Sequence, residues 1–151
     1  LNLALLGPTG TGKSLLSAIW LHGHMMCGEP GRFVDARTLA RTLGRARDRD
    51  KEIAALAELE YLVVDDFLAD PEDCEPERVG AIVEVLSARS MRGTFTCYSS
   101  NRSAEELATV LGPRGYSRAM HNALVLVIDG PDWRLPTAWQ PETASKAGRR
   151  Q

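Results

Sequence analysis

An eight-residue stretch near the front of the chain, GPTGTGKS from Gly7 to Ser14, constrains the fold more than any other feature. An apolar run, LNLALL, precedes it, and a pattern with helical periodicity follows. The residues fit G-x-x-x-x-G-K-S/T, with Gly7, Gly12, Lys13 and Ser14 in the fixed places. Polyphosphate binding needs those residue types at that spacing. The glycines accept backbone angles closed to other residues, so consecutive N–H groups can turn inward around anionic oxygens. Lys13 adds a point charge near the β and γ phosphates, and Ser14 offers a hydroxyl to Mg2+. The helix beginning there aims the positive end of its dipole at the same oxygens. The expected nucleotide contacts are Gly7, Pro8, Thr9, Gly10, Thr11, Gly12, Lys13, Ser14 and Leu15.

A loop of this kind joins a strand to a helix, and the rest of the chain repeats that alternation. Strand-like segments lie at about Asn2 to Leu6, Arg32 to Val34, Tyr61 to Asp65, Thr94 to Ser99 and Leu124 to Ile128, with helical patterns between them. Such an order predicts parallel strands joined by right-handed crossovers, with helices on both faces of the sheet. The first helix is expected from Lys13 to about Cys27, ended by Gly28, Pro30 and Gly31. A second begins behind Asp35, an N-cap, and continues near Arg47; a short third covers Lys51 to Glu58. The fourth, about Glu77 to Ser90, follows the acidic loop ADPEDCEPE. Ser103 and Glu106 form a capping box for a helix through Val110, which Gly112 and Pro113 break before another near Tyr116 to Asn122.

The chain's 151 residues suit one domain with a sizeable core, and 44% hydrophobic with 25% charged residues is ordinary for a globular protein. A net charge of -2 argues against a generally basic nucleic-acid coat and leaves room for a local basic patch. Cys27, Cys74 and Cys97 are odd in number, widely spaced and without C-x-x-C spacing, so neither a disulfide framework nor a zinc site is indicated. A reducing cytoplasm is the expected location. No apolar run approaches membrane-spanning length, and nothing resembles a signal peptide, so no membrane partner is expected. Leu1 opens inside what should be a buried strand, so an N-terminal partner-binding region is expected to be missing. Beyond Arg134 the segment 135–151 is polar and proline-bearing, and it reads as a tail.

YLVVDDF carries the second piece of chemistry. Four apolar residues ending in Asp65 and Asp66 describe a buried strand that delivers two carboxylates to the carboxyl edge of the sheet, where open α/β sheets bind ligands. Asp65 is the candidate for the Mg2+ shell, and Asp66 for orienting or deprotonating an attacking water. FTCYSSNRS puts Asn101 just past the fourth strand, where its amide can meet the γ phosphate or the water.

Arg37, Arg41, Arg45 and Arg49 recur every four residues. On one helix this spacing makes a basic stripe, with Leu39 and Leu43 facing elsewhere. Such a stripe suits the backbone of single-stranded DNA, and it equally suits a solvated helix face. No aromatic residue interleaves with these arginines.

In this order and at these intervals, GPTGTGKS, LVVDD, SSNRSAEEL, LGPRGYSR and GPDWR resemble the ATPase core of DnaC-type helicase loaders and IstB-type transposition helpers, a branch of the AAA+ ATPases. The resemblance covers about Leu1 to Arg134 and makes residues 1–134 an AAA+ core. It implies a five-stranded parallel sheet of order 5-1-4-3-2 without a C-terminal lid domain. It also implies ATP and Mg2+ as ligands. By resemblance Asn101 is the sensor-one residue, Arg118 the arginine finger offered to a neighbouring subunit, and Arg134 the sensor-two arginine. Arg114, one helical turn before Arg118, is a second candidate finger. Asp66 stands where many AAA+ proteins carry glutamate; its carboxylate is one methylene shorter, and slow hydrolysis is expected. The implied function is that of a helicase loader in DNA replication, which assembles into an ATP-dependent oligomer and engages single-stranded DNA and a replicative helicase. The alternatives are a transposition helper and a nucleotide-regulated adaptor with little hydrolysis.

Overall fold

Each apolar run becomes a strand and each periodic stretch a helix in the computed structural model, which describes residues 2–135. The elements follow as β1 (Asn2–Leu6), α1 (Lys13–Met26), β2 (Gly31–Asp35), α2 (Ala36–Arg45), α3 (Arg49–Glu58), β3 (Tyr61–Asp65), α4 (Pro76–Arg92), β4 (Phe95–Ser100), α5 (Ala104–Ala119) and β5 (Ala123–Val127). A single 3-10 turn, Pro71–Cys74, interrupts the acidic loop before α4. The predicted tail lies outside the described residues from position 136 onward.

All the strand pairings are parallel and run in the order β2-β3-β4-β1-β5, which from the other edge is the expected 5-1-4-3-2. Strands buried on both faces need apolar residues at successive positions, and β3 supplies them, Tyr61 through Val64 all being buried. The two faces carry separate cores. Leu5, Tyr61, Val63 and Cys97 pack with Leu21 of α1 on one side. On the other, Ala4, Leu6, Leu62, Val64 and Tyr98 meet Leu39 and Leu43 of α2, Leu56 of α3, Ile82, Val85 and Leu86 of α4, and Leu107 and Leu111 of α5. Helices therefore cover both faces, one below and four above. No helical lid follows β5 among the described residues, and no helix there is long and apolar enough to cross a membrane.

Local capping chemistry sets most boundaries. Asp35 accepts from the Thr38 amide at 2.8 Å and starts α2; the Ser103–Glu106 capping box starts α5. Two expectations are corrected. The second helix stops at Arg45, where Ala46 turns extended (φ -63°, ψ 133°), and Asp48 caps α3 by accepting from the Lys51 amide at 3.1 Å. An N-cap acceptor three residues before a free amide wins over continued helix at this point. The break at Gly112 is real (φ 65°, ψ 172°) and divides α5 into two helical halves as expected, but the second, from Pro113, ends at Ala119, short of the expected Asn122.

One tertiary feature has no sequence signal. Arg89 sits in the last turn of α4, where basic residues usually complement the helix dipole in solvent. Here it is fully buried. Its guanidinium donates to the carbonyls of Leu59 (2.8 Å), Leu56, Glu60 and Phe95 and to Thr96 Oγ1 (2.9 Å), tying α4 to the α3–β3 turn and the start of β4. Burial pushes its pKa down to about 10, which leaves it protonated at neutral pH.

Candidate functional site

The loop between β1 and α1 holds the backbone shape that the glycine spacing requires. Gly12, the N-cap of α1, is left-handed (φ 91°), and no side chain caps the helix. The first-turn amides of α1 are therefore available to an anion, with no acidic residue in that turn to compete. Lys13 is buried, and its ammonium donates to the Pro8 carbonyl at 2.6 Å, which holds it over the loop. Burial pulls its pKa below the ordinary lysine value; Asp66 and Asp65 oppose that pull, and Arg134 adds to it. The Thr11 hydroxyl donates to the same Pro8 carbonyl at 2.9 Å.

At the end of β3 the chain makes a strained turn. Asp66 has φ 52° and Leu68 φ 53°, both left-handed for non-glycine residues. Ser99 of β4 holds that turn. Its hydroxyl donates to the Asp65 carboxylate and accepts from the Asp66 amide at 3.1 Å, while its carbonyl accepts from the Phe67 amide at 2.7 Å. Burial raises the Asp66 pKa above the usual carboxylate value, as do the neighbouring carboxylates of Asp65 and Asp35; Arg134 and Lys13 act against the rise. Asp35 joins this group because β2 and β3 run in register, with Asp35 opposite Asp65.

A cavity of about 460 Å3 draws these elements together. Thr9, Gly10, Gly12, Lys13, Ser14 and Leu15 line it from the loop and α1, Asp66, Ala69 and Asp70 from the turn after β3, Asn101 from the end of β4, and Trp133 and Arg134 from the segment after β5. Of the expected contacts, Gly7, Pro8, Thr11 and Asp65 do not line this cavity. Arg118 does not line the cavity: it is exposed on α5, and its Nη1 donates to Ser87 Oγ of α4 at 3.1 Å. Arg114 is exposed on the same helix.

Of the two expected cation ligands, Ser14 lines the cavity and Asp65, whose carboxylate accepts from the Ser99 hydroxyl, does not. Among the described residues no cluster of three or more His, Cys, Asp or Glu forms a metal cage. The Ser14 hydroxyl and the Asp65 carboxylate are hard oxygen donors, and Mg2+ favours few protein ligands completed by phosphate oxygens and water.

Ser99, Asp132 and Trp133 are site residues that the sequence reading missed. A Cβ placed on Gly10, itself left-handed (φ 81°), would lie 1.7 Å from Oδ1 of Asp132, so the segment after β5 presses directly on the phosphate loop. The Trp133 amide donates to the Gly10 carbonyl at 3.1 Å. GPDWR was legible as a motif of the family resemblance, but its docking partner lies more than a hundred residues away.

The arginine stripe requires correction. Arg37, Arg41 and Arg45 belong to α2, whereas Arg49 opens α3 beyond the Ala46–Asp48 break, so the four share no helical face. They line instead a groove of about 580 Å3 against α4, together with Arg78, Glu77 and Glu84. Arg37 pairs with Asp70 and with Asp73 (3.1 Å), and Arg49 with Glu84 (2.8 Å). Arg41 and Arg45 are exposed and make no ion pair among the described residues.

The sequence model of a family described as IstB-like ATP binding protein matches residues 1–140. No curated protein matches the chain. Among solved structures, that of the DnaC helicase loader is similar at 22% identity and a TM-score of 0.75, covering 85% of this chain and 78% of that one. DnaI is similar at 22% identity and a TM-score of 0.73, over 87% of this chain and 71% of that one. AMPPCP-bound DnaA from Aquifex aeolicus follows at 17% identity and a TM-score of 0.71, over 84% of this chain and 40% of that one.

Proposed function

The chain belongs to the family of IstB-like ATP-binding proteins, and from that premise we propose that it is a Mg2+-dependent ATPase acting in DNA replication as a helicase loader. On this reading residues 1–134 form an ATP-binding AAA+ core of the DnaC/IstB type, and the nucleotide state sets its grip on single-stranded DNA and on a replicative helicase in the cytoplasm. One observation carries the ATPase part: the phosphate loop, the Asp66 carboxylate, Asn101 and Arg134 meet in one cavity although four separate loops supply them.

The roles follow from position. The α1 amides and Lys13 hold the β and γ phosphates. Ser14 and Asp65 hold Mg2+, which neutralises charge on the phosphate oxygens when bound. Asp66 has a carboxylate made more basic by burial and by Asp65, and it takes the proton of the attacking water or orients it. Asn101 donates its amide to the γ phosphate or positions that water. Arg134, close enough to influence both Lys13 and Asp66, meets the charge that develops on the transferred group. Arg118 faces away and serves a neighbour in an ATP-dependent oligomer. The DnaC-like fold supports the loader reading, and the IstB-like family match keeps a transposition helper as the second one. The shorter Asp66 side chain favours slow turnover, with a nucleotide-regulated adaptor as its limit.

Two substitutions test the site. Lys13→Ala should abolish tight ATP binding, measured by calorimetry, because a charge facing two phosphates is lost. Asp66→Asn should bind ATP as the wild type does and lose turnover. Unchanged ATP affinity in Lys13→Ala would sink the phosphate-loop assignment; wild-type hydrolysis by Asp66→Asn would remove Asp66 from the chemistry. Turnover measured with and without single-stranded DNA separates ATPase from adaptor.

A further inference from the structure

We propose that Trp133 is the platform on which the base of the bound nucleotide stacks, selecting purine over pyrimidine nucleotides by area of contact. The inference rests on the nucleotide-binding reading above and concerns the half of the ligand that the phosphate loop does not touch.

Trp133 is 75% exposed, an unusual state for the side chain with the largest apolar surface. Its backbone is nonetheless fixed. The Trp133 amide donates to the Gly10 carbonyl at 3.1 Å, the Arg134 amide to Asp132 Oδ1 at 2.9 Å, and the Leu135 amide to the Asp132 carbonyl at 3.2 Å. The Asp132 carboxylate fills the space where a Cβ of Gly10 would stand. The indole is thus held on a rigid turn bolted to the phosphate loop, with its faces open.

It also lines the same cavity as Lys13 and Ser14, and among the described residues it is the one aromatic side chain doing so. A volume of about 460 Å3 falls within the size of small-molecule sites and leaves room beyond a triphosphate. Triphosphate oxygens need charge and donors, which the loop, Lys13 and Arg134 provide. A nucleobase needs a flat apolar surface, and Trp133 offers it beside Arg134, its neighbour in sequence. An indole reads no hydrogen-bonding edge in this way, so adenine and guanine should gain alike and the smaller pyrimidines less.

The test compares ATP, CTP and inorganic tripolyphosphate, which has no base, on the full chain. Trp133→Ala should weaken ATP binding by about 5- to 150-fold, the range that base–aromatic stacking spans, while tripolyphosphate affinity stays at the wild-type value and the preference for ATP over CTP collapses. Trp133→Phe should keep most of the ATP affinity. In the wild type ATP should quench tryptophan fluorescence and tripolyphosphate should not; Trp20 and Trp139 remain in Trp133→Phe, where that quenching should vanish. Equal losses for ATP and tripolyphosphate in Trp133→Ala would make Trp133 a prop of the phosphate loop and overturn the proposal. Unchanged ATP affinity would overturn it as well. Wild-type protein that bound neither probe would overturn the nucleotide-binding reading itself, a result distinct from both.

Discussion

Asp66 shows how the fold bears on a residue to which the proposed chemistry is assigned. Its left-handed backbone and its crowding by the carboxylates of Asp65 and Asp35 both cost free energy, and Ser99 maintains the arrangement by bonding Asp65 and the Asp66 amide together. The raised pKa of Asp66 has a definite consequence for stability. A carboxyl group whose pKa rises on folding favours the folded state while protonated, and that contribution disappears as pH climbs through the folded-state value. Above that value the ionised side chain therefore costs the folded state stability. Asparagine tolerates left-handed backbone and carries no charge. Asp66→Asn should accordingly melt at a higher temperature than the wild type at neutral pH, with the difference closing as pH falls toward the ordinary aspartate value of 3.8. Calorimetric melts of both proteins across that range check it; coincident melting temperatures at neutral pH would mean that the crowded carboxylate carries no penalty. Asp66 was legible because an apolar run ended on it. Ser99 and Arg89 were not, since a hydroxyl in a strand and an arginine in a last helical turn look the same whether they serve a structure or merely face water.

Among the elements, α2 and α3 depart furthest from the sequence reading, and the groove beside α4 replaces the stripe. Arg37 is committed to Asp70 and Asp73. Burial raises the cost of ionising Asp73, yet the bonds from Arg37 and the Asp70 backbone hold its carboxyl below the usual value. Arg49 is likewise occupied by Glu84. Only Arg41 and Arg45 of the four remain without a carboxylate partner among the described residues, so they are the side chains to test for contact with single-stranded DNA. Replacing both by glutamine should weaken binding and reduce the slope of log affinity against log salt by about 1.4, two phosphate contacts on a single strand. An unchanged slope in fluorescence-anisotropy titrations at several salt concentrations would return them to a solvated surface. β5 makes a similar point about elements. Its apolar run reads as a strand, and Leu124 and Val127 on it are 47% and 75% exposed, the strand order placing it at the sheet edge.

For the whole molecule, the decisive relation is between the cavity and Arg118, which lies outside it on α5. A guanidinium that meets a neighbour's γ phosphate is worth roughly 10³ to 10⁵ in rate in other nucleotide hydrolases, so Arg118→Ala should retain ATP binding and lose hydrolysis by that order. Mixing Arg118→Ala with Lys13→Ala should restore turnover at the interface where one chain supplies the intact cavity and the other the intact arginine. A mixture that assembles and stays inactive would rule out the trans role. What the sequence determined by itself was everything that contiguous residues encode. The phosphate loop follows from glycine spacing, the strand and helix alternation from hydrophobic period, the starts of α2 and α5 from capping side chains, and the acidic end of β3 from its apolar approach. Only the tertiary structure decided which distant segments meet. Strand order carried Trp133 to Gly10, register set Asp35 beside Asp65, and packing buried Arg89 against carbonyls of two separate segments. Backbone angles and periodicity are local properties, readable from neighbours in the chain. Contacts across a sheet depend on the order and register of strands far apart in sequence, which no single stretch contains.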